Sequence, residues 1–208
     1  MLIAKSIVSH FRVLLFASSA LLCSCSTGSN LNQPKTLEQL DKQFPKISFS
    51  KLPEIQQPEA PIKLDYKPEI KISPVADLRK DQVVINHNGR EIHSEGNIGL
   101  SVRYALFKAY QKRGFLVKDS SPVELKLGIS RWRATSTESG IKGEAIVETE
   151  VIDPSGNTAF SGVFEGSTDL VTTQPTDREV EEVLRKAMGE ALSEMIKNER
   201  LFEIVTAF

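Results

Sequence analysis

The sequence predicts a two-layer α+β domain, in which an antiparallel sheet packs against two amphipathic helices and a proline-rich tether comes first. Three successive stretches between residues 123 and 170 alternate apolar and polar residues, which is typical of strands with one buried face. Two other stretches repeat apolar residues at helical spacing, which predicts helices that each bury one side. A sheet and helices that are apolar on one side bury those sides against one another in two layers.

Residues 1–24 are typical of a bacterial lipoprotein signal peptide. A basic segment without acidic residues precedes the apolar run Val13–Leu22, which is too short to span a bilayer as a helix. The sequence Leu22-Cys23-Ser24-Cys25 then resembles a lipobox, in which a small residue precedes the cysteine that receives lipid. We therefore expect a diacylglycerol and an N-acyl chain, such as palmitate, on Cys25. The alternative is an ordinary signal peptide that is cut nearby and leaves a soluble periplasmic protein.

Charge and cysteine content argue against two common classes of protein. The 208 residues include 26 basic and 27 acidic ones, and loss of the signal peptide removes two basic residues and leaves a formal charge of −3. Such a chain has no excess of Lys and Arg with which to bind nucleic acid by displacing counterions. Cys23 leaves with the signal peptide, so the lipid-bearing Cys25 has no partner for a disulfide.

Residues 25–66 comprise the expected lipid-bearing cysteine and the predicted tether. Prolines recur so often that neither a helix nor a strand can run far, and they lie at Pro34, Pro45, Pro53, Pro58 and Pro61. Residues 36–44 can form one or two helical turns, which either dock on the domain or stay apart from it. We expect the tether to be a spacer, and a proline-rich strip that binds a partner is the alternative.

The folded domain is expected to span residues 67–208 and to begin with short strands. Residues 69–75 alternate and predict a strand with a proline near its end or on an edge. Residues 83–85 and 90–92 flank an Asn-Gly pair, which is typical of a hairpin turn.

A first helix follows this hairpin. Apolar residues recur every three or four positions from Ile98 to Tyr110, and Gly114 comes next as a residue suited to end a helix. The pattern predicts about four turns with one buried face. Residues 115–117 then begin a short strand.

Three long strands make up the predicted meander. They cover residues 123–130, 141–152 and 158–170, and residues 153–157 have the composition of a tight turn between the last two. Each strand places apolar side chains on one face and mainly polar ones on the other. This alternation predicts an antiparallel sheet with one face on the core and one in water.

The second helix has the clearest start signal in the chain. Pro175 and the capping box Thr176-Asp177-Arg178-Glu179 predict its first turn, and an apolar stripe continues to Ile196. The apolar tail at residues 201–205 either adds a strand or packs under a helix.

Two short motifs are candidate binding residues. Arg131-Trp132-Arg133 ends an alternating strand, and the alternation places Trp132 on the polar face. An exposed Trp between two Arg residues is typical of an interaction surface; the alternative is a bulge that tucks Trp132 under the tether. Asp77 and Arg79 are expected to form either a local ion pair that fixes a turn or a pair that binds a ligand.

Neither a metal site nor an active site is predicted. His87 and His93 lie near the hairpin with Glu91 and Glu95, and we interpret the histidines as solvated loop residues because no thiol accompanies them. Ser-x-x-Lys, a pattern of serine enzymes that act on the cell wall, occurs at Ser48–Lys51 and Ser139–Lys142, but its companion motifs are missing. We therefore predict no enzyme, and no cofactor apart from the lipid on Cys25.

Four segments of the domain resemble the YajG-like bacterial outer-membrane lipoproteins. They are Val75-Ala-Asp-Leu-Arg79, Tyr110-Gln-Lys-Arg-Gly-Phe115, Val123-Glu-Leu-Lys-Leu127 and Leu201-Phe-Glu-Ile204. The resemblance covers roughly residues 68–205 and implies an outer-membrane lipoprotein. It implies no catalytic residue, because the family has no established active site. Ser26 also favours the outer membrane. In this position the chain resembles bacterial lipoproteins that have no Asp directly after the lipid-bearing cysteine and are sorted to the outer membrane.

These observations lead to two hypotheses of function. The first is a lipid-anchored, non-catalytic interaction or assembly module of the bacterial cell envelope, with its domain in the periplasm and an envelope protein or cell-wall component as partner. The alternative is a carrier of lipid or of another small molecule, which requires an apolar pocket between helices and sheet.

Overall fold

The computed structural model describes residues 46–48, 53–58, 66–80, 82–87, 90–95 and 97–208. Its strands are β1 (Lys46–Ser48), β2 (Glu69–Ile72), β3 (Ala76–Asp77), β4 (Val83–His87), β5 (Arg90–Glu95), β6 (Leu116–Val117), β7 (Glu124–Ser136), β8 (Gly140–Ile152) and β9 (Thr158–Val171). Its helices are α1 (Ile98–Lys112), α2 (Asp177–Lys197) and α3 (Glu199–Thr206). The predicted signal peptide, the lipid-bearing cysteine and the helical turns expected at residues 36–44 lie outside the described residues.

The predicted meander is confirmed by β7, β8 and β9, which pair antiparallel in this order. The register aligns Leu125 with Val151 and Val151 with Phe160, so apolar side chains of all three strands share one face. The turn between β8 and β9 is fixed by Asp153, whose carboxylate accepts hydrogen bonds from the backbone N–H groups of Ser155 and Asn157. The α+β class predicted from the alternation is therefore confirmed.

Short parallel strands extend this sheet beyond the meander. The strand order is β6-β2-β7-β8-β9, and β2 pairs parallel with both β6 and β7. β3 also runs parallel to β7, with Asp77 opposite Ile129. A second sheet has the order β1-β5-β4, and β4 and β5 form the predicted hairpin. The described sheet is thus mixed, with short parallel strands at one side and the antiparallel meander, which ends in β9, making up the rest.

β9 lies at the other side of the sheet and pairs with β8 alone along the described part of the chain. The N–H group of Ser167 on β9 donates a hydrogen bond of 2.7 Å to the carboxylate of Glu190 on α2. This N–H therefore points away from β8, and a side chain from the helix layer satisfies it.

α2 packs over the meander, and most residues of this helix are buried. Its predicted capping box is present: the N–H of Glu179 donates to Thr176 Oγ1, and the N–H of Thr176 donates to Glu179 Oε2. Gly166 on β9 lets the helix approach closely, because a Cβ there would lie 2.1 Å from the carbonyl oxygen of Ala187. The helix layer and the sheet therefore touch backbone to backbone.

The apolar tail folds as the short helix α3. Asn198 ends α2 and caps α3, since its side chain accepts a hydrogen bond of 2.8 Å from the N–H of Leu201. Leu201 and Val205 are buried, and their separation by four residues puts both on one side of a helix. Of the two alternatives for this tail, packing in the helix layer is the one that the structure shows.

Residues 53–58, which the sequence places in the tether, lie against both long helices; we call them the strap. The N–H of Gln56 donates a hydrogen bond of 2.8 Å to Ser193 Oγ on α2. The side-chain amide of Gln57 donates to the carbonyl of Ala109 on α1. Ile55 packs partly buried against the core. The strap therefore covers the side of α2 that faces away from the sheet.

Candidate functional site

A β-bulge in β7 decides where Trp132 lies. The pairing with β8 shifts between Ile129 and Arg131, which leaves Ser130 as the extra residue. Buried positions are odd-numbered before the bulge, as at Ile129, and even-numbered after it, as at Trp132. An extra residue in one strand turns every later side chain to the opposite face.

The prediction that Trp132 lies on the exposed face is therefore wrong. Its side chain is 1 % exposed, and its indole N–H donates a hydrogen bond of 3.2 Å to the carbonyl of Leu184 on α2. The alternative prediction of a bulge gives the correct orientation of the Trp132 side chain. The hydrogen bond of the indole goes to α2 in the helix layer. Trp132 belongs to the core of the domain.

The same bulge turns Arg131 and Arg133 to the open face of the sheet, where their side chains are 45 % and 55 % exposed. Glu144, on the neighbouring strand, lies 3.8 Å from Arg131 Nη1 and 3.6 Å from Arg133 Nε. It also lies 3.4 Å from Lys142 Nζ. One carboxylate is thus shared by three cations, and each exposed pair is worth little.

The expected ion pair between Asp77 and Arg79 forms directly after β3. Arg79 Nε and Nη2 donate hydrogen bonds of 2.8 and 2.6 Å to the two carboxylate oxygens of Asp77. These hydrogen bonds from Arg79 lower the pKa of Asp77 below its usual value, against a smaller opposing effect of burial. Because β3 ends opposite Ile129, the pair lies beside the bulge of β7.

Arg79 is held on further sides. Its guanidinium carbon lies 5.3 Å from the centroid of the Trp132 ring, and Nη2 also donates to Ser94 Oγ on β5 at 3.3 Å. The side chain is only 6 % exposed. Its Nη1 has no hydrogen-bond acceptor among the described residues. The guanidinium is therefore a fixed, buried positive charge with one donor left over.

Arg79 lines one cavity of about 340 Å³ together with all three residues of the Arg131-Trp132-Arg133 motif. We call it the cationic cavity. Its lining residues are Leu78, Arg79, Lys80, Val83, Ser130, Arg131, Trp132 and Arg133. Every charged residue among them is a cation, and the acids that pair with these cations, Asp77 and Glu144, are engaged in the ion pairs described above. The arrangement is suited to bind an anionic group.

A second cavity, of about 330 Å³, opens between α1 and strands β2 and β6. Its lining is mostly apolar and consists of Ile72, Leu100, Arg103, Tyr104, Phe107, Val117 and Asp119. Leu100 is 65 % exposed, and Arg103 pairs with Asp119 at 3.2 Å. We call this cavity the apolar cleft. No sequence prediction points to this cleft, although Leu100, Tyr104 and Phe107 repeat at helical spacing outside the predicted core stripe.

The other candidate residues do not assemble into a site that the structure describes. His93 Nε2 lies 3.6 Å from a carboxylate oxygen of Glu91, and no group of three or more potential metal ligands occurs among the described residues. Lys142 of the second Ser-x-x-Lys pattern contacts Glu144, while the backbone carbonyl of Ser139 accepts a hydrogen bond from the N–H of Thr172. Cys25 lies outside the described part of the chain.

Comparison with known proteins identifies the fold and no family. No protein-family model matches the sequence, and no curated protein matches it. The structure is similar to a DUF330 protein from Xanthomonas campestris, with a TM-score of 0.55 and 8 % identity over 73 % of this chain and 92 % of that chain. It is also similar to a hypothetical protein from Chlamydia trachomatis, with a TM-score of 0.50 and 11 % identity over 69 % of this chain and 100 % of that chain.

At such low identities these two likenesses show a shared fold and nothing about activity. A lipoprotein from Neisseria meningitidis has a TM-score of 0.35 and 7 % identity over 55 % of this chain and 91 % of that chain, which is too distant to carry an argument. The resemblance to the YajG-like family stays a prediction. Within the described residues, no helix has the length and apolar character to cross a bilayer.

Proposed function

We propose that this protein is a lipid-anchored, non-catalytic interaction module of the bacterial cell envelope, related to the YajG-like lipoproteins. In this proposal Cys25 holds it on the outer membrane and the domain faces the periplasm. The observation that carries the proposal is the cationic cavity, where the connection after β3 and the bulge of β7 bring Arg79, Arg131 and Arg133 together. The lipobox-like sequence before Cys25 supports the anchor.

The cavity has the features of a recognition surface. Arg131 and Arg133 are accessible, and their ion pairs with Glu144 are long enough to be exchanged for a partner's acidic groups at little cost. Trp132 and Arg79, which also line the cavity, are buried and fixed, so this part of its wall needs little ordering on binding. A partner with a negatively charged segment, such as an envelope protein or a cell-wall component, fits this surface best.

The anchor is tested by metabolic labelling with palmitate in living bacteria. The wild-type protein should incorporate label, and Cys25→Ala should abolish it. Cys23→Ala is the matched control, because that residue leaves with the signal peptide and its replacement should preserve labelling. Loss of label from Cys23→Ala with retention in Cys25→Ala would contradict the assignment of the anchor.

The interaction surface is tested by site-specific photocrosslinking in the same cells. A photoreactive residue in place of Arg133 should give a defined crosslinked product, and Arg131→Glu should weaken it. The control position is Arg200, which is exposed on α3 and does not line the cavity. The same products from both positions, or none from position 133, would count against a binding role for the cavity.

The apolar cleft favours a second candidate function, that of a carrier for a lipid or another apolar small molecule. Its volume of about 330 Å³ lies in the range of small-molecule sites. Leu100→Trp should fill the cleft and lower the affinity for a fluorescent fatty acid. Leu116→Trp is the control, because Leu116 is exposed nearby but does not line the cleft. Equal binding by both variants and the wild type would exclude the cleft as the carrier site.

A further inference from the structure

We infer that the cationic cavity binds a phosphate group. This inference rests on the proposed function, because it names the chemistry that the proposed interaction surface recognises. It is carried by the charges that line the cavity, by the spacing of the two exposed arginines and by the buried guanidinium of Arg79.

The charge balance of the cavity favours a ligand with more than one negative charge. Four cations line it, at Arg79, Lys80, Arg131 and Arg133. Asp77 neutralises Arg79, and Glu144 is shared among Arg131, Arg133 and Lys142, a cation outside the lining. Asp81, which follows Lys80 in the sequence, lies outside the described residues. The described acids therefore leave an excess of positive charge at the mouth of the cavity.

The spacing of the exposed arginines suits a tetrahedral anion. Arg131 and Arg133 are alternate residues of one strand, so their side chains leave the same face about 7 Å apart. A phosphate group that accepts hydrogen bonds of about 2.8 Å from both sides can bridge this span.

Arg79 adds a fixed charge from a different element of the fold. Asp77, Ser94 and the Trp132 ring hold its guanidinium in place. Its Nη1 lacks a hydrogen-bond acceptor among the described residues, although the side chain is more than nine-tenths buried. A buried donor without an acceptor is unfavourable. Because Arg79 lines the cavity, a bound anion that reached its Nη1 would offset that cost.

Trp132 supplies a direct readout, because it is the only tryptophan in the chain and lines the cavity. The experiment titrates full-length protein in neutral detergent with inorganic phosphate at constant ionic strength and follows tryptophan fluorescence. We expect a saturable change with phosphate and none with acetate. The double variant Arg131→Gln/Arg133→Gln should bind about tenfold or more weakly. Arg178→Gln/Arg200→Gln, which removes two exposed arginines outside the lining, should bind like the wild type.

A second arm of the experiment distinguishes the two sources of a phosphate group. Vesicles with phosphatidic acid are compared with vesicles of phosphatidylcholine alone. A lipid headgroup as ligand predicts a response to phosphatidic acid that the double variant loses, whereas a soluble phosphate compound predicts a response to inorganic phosphate only. Circular dichroism verifies that the variants are folded.

The outcomes separate this inference from the proposed function. No response to inorganic phosphate or phosphatidic acid, an equal response to acetate, or an undiminished response in the double variant would overturn phosphate recognition. Palmitate on Cys25 and a crosslink at position 133 would then leave the interaction module standing with a different ligand chemistry. Phosphate binding by a protein without palmitate would instead contradict the anchor alone.

Discussion

The guanidinium of Arg79 lies over the indole of Trp132, with 5.3 Å between the guanidinium carbon and the ring centroid. This contact joins the connection after β3 to the part of β7 that follows the bulge. Arg79 also pairs with Asp77, and Trp132 donates a hydrogen bond to the helix layer. The contact therefore fixes the buried part of the lining of the cationic cavity, whereas Arg131 and Arg133 in the same lining are exposed.

Replacement of Trp132 should affect folding before it affects binding. We expect Trp132→Ala to lower the free energy of unfolding by about 3–5 kcal/mol, because it leaves a large cavity under α2. Trp132→Phe keeps an aromatic ring and loses the hydrogen bond to Leu184, so its cost should be smaller. Urea unfolding followed by circular dichroism measures both. An Ala variant as stable as the wild type would show that the indole is not in the core.

Asp77 should make the stability depend on pH. Its pKa is lowered in the folded protein, chiefly by the hydrogen bonds from Arg79. A carboxylate of this kind stabilises the fold above its unfolded pKa of about 4, and the contribution is lost as the pH falls through the folded pKa. The carboxylate is partly exposed, so solvent screening keeps this contribution on the order of 1 kcal/mol or less.

Asp77→Asn tests this relationship. At about pH 7 the variant should be less stable than the wild type, because Arg79 keeps a buried charge without its partner. At about pH 3 the difference should shrink, since Asp77 is then increasingly protonated in the wild type as well. Urea unfolding at both pH values measures the difference, and Asp119→Asn is the control, because that carboxylate is 89 % exposed. A difference that does not change with pH would refute the ion pair.

Whether Gly189→Ala stabilises or destabilises the protein shows whether the strap covers α2. In an uncovered helix this change should stabilise by about 0.5–1 kcal/mol, because Ala has the higher helix propensity. In the structure the new Cβ would lie 2.5 Å from the carbonyl oxygen of Glu54. We therefore expect a loss of about 1–3 kcal/mol instead.

Hydrogen exchange tests whether the expected loss of stability arises at the strap. The amide of Gln56, which donates to Ser193 Oγ, should exchange faster in Gly189→Ala than in the wild type. Ser193→Ala provides a comparison that removes the acceptor without adding bulk, and its cost should be about 1 kcal/mol. A gain in stability from Gly189→Ala would mean that the strap does not cover α2 in solution.

Tyr110→Phe should leave the stability unchanged or raise it. The Tyr110 hydroxyl is buried without a hydrogen-bond partner among the described residues, and burial raises its pKa above the usual range. The ring itself packs edge-on against Phe115 with 5.1 Å between centroids, and Phe keeps that contact. Removing a buried polar atom without a partner lifts a desolvation cost. Thermal unfolding measures the change, and a clear loss of stability would reveal a hydrogen bond to this hydroxyl.

Residue patterns predict those strands and helices that are long enough to show a periodic pattern. Alternation predicts each strand of the meander, although β7 continues beyond its predicted end at residue 130 to Ser136. The apolar stripe and the capping box predict α2. The parallel strands are harder to predict, because β3 has two residues and β2 has four. So short a segment carries no pattern that specifies its neighbour or its direction.

The orientation of Trp132 shows why a site is harder to predict than a strand. The apolar positions are odd-numbered up to Ile129 and even-numbered at Trp132 and Ala134, so a change of phase in the sequence marks the bulge at Ser130. Extending the first register through Ser130 puts Trp132 on the wrong face. The cavity also needs β3 beside β7, and this pairing joins residues about 50 positions apart in the sequence. Both motifs can be noticed in the sequence, whereas their meeting depends on the tertiary fold.

Glu190 bears on the self-association of the protein. Among the described residues, β9 is an edge strand of 14 residues without a proline. Unpaired N–H and C=O groups along such an edge can recruit a strand from another chain and start aggregation. The carboxylate of Glu190 already occupies the N–H of Ser167 and places a negative charge beside the edge. An incoming strand would have to displace it and bury that charge. We therefore expect one side chain of the helix layer to keep this edge from starting fibrils when the protein is concentrated.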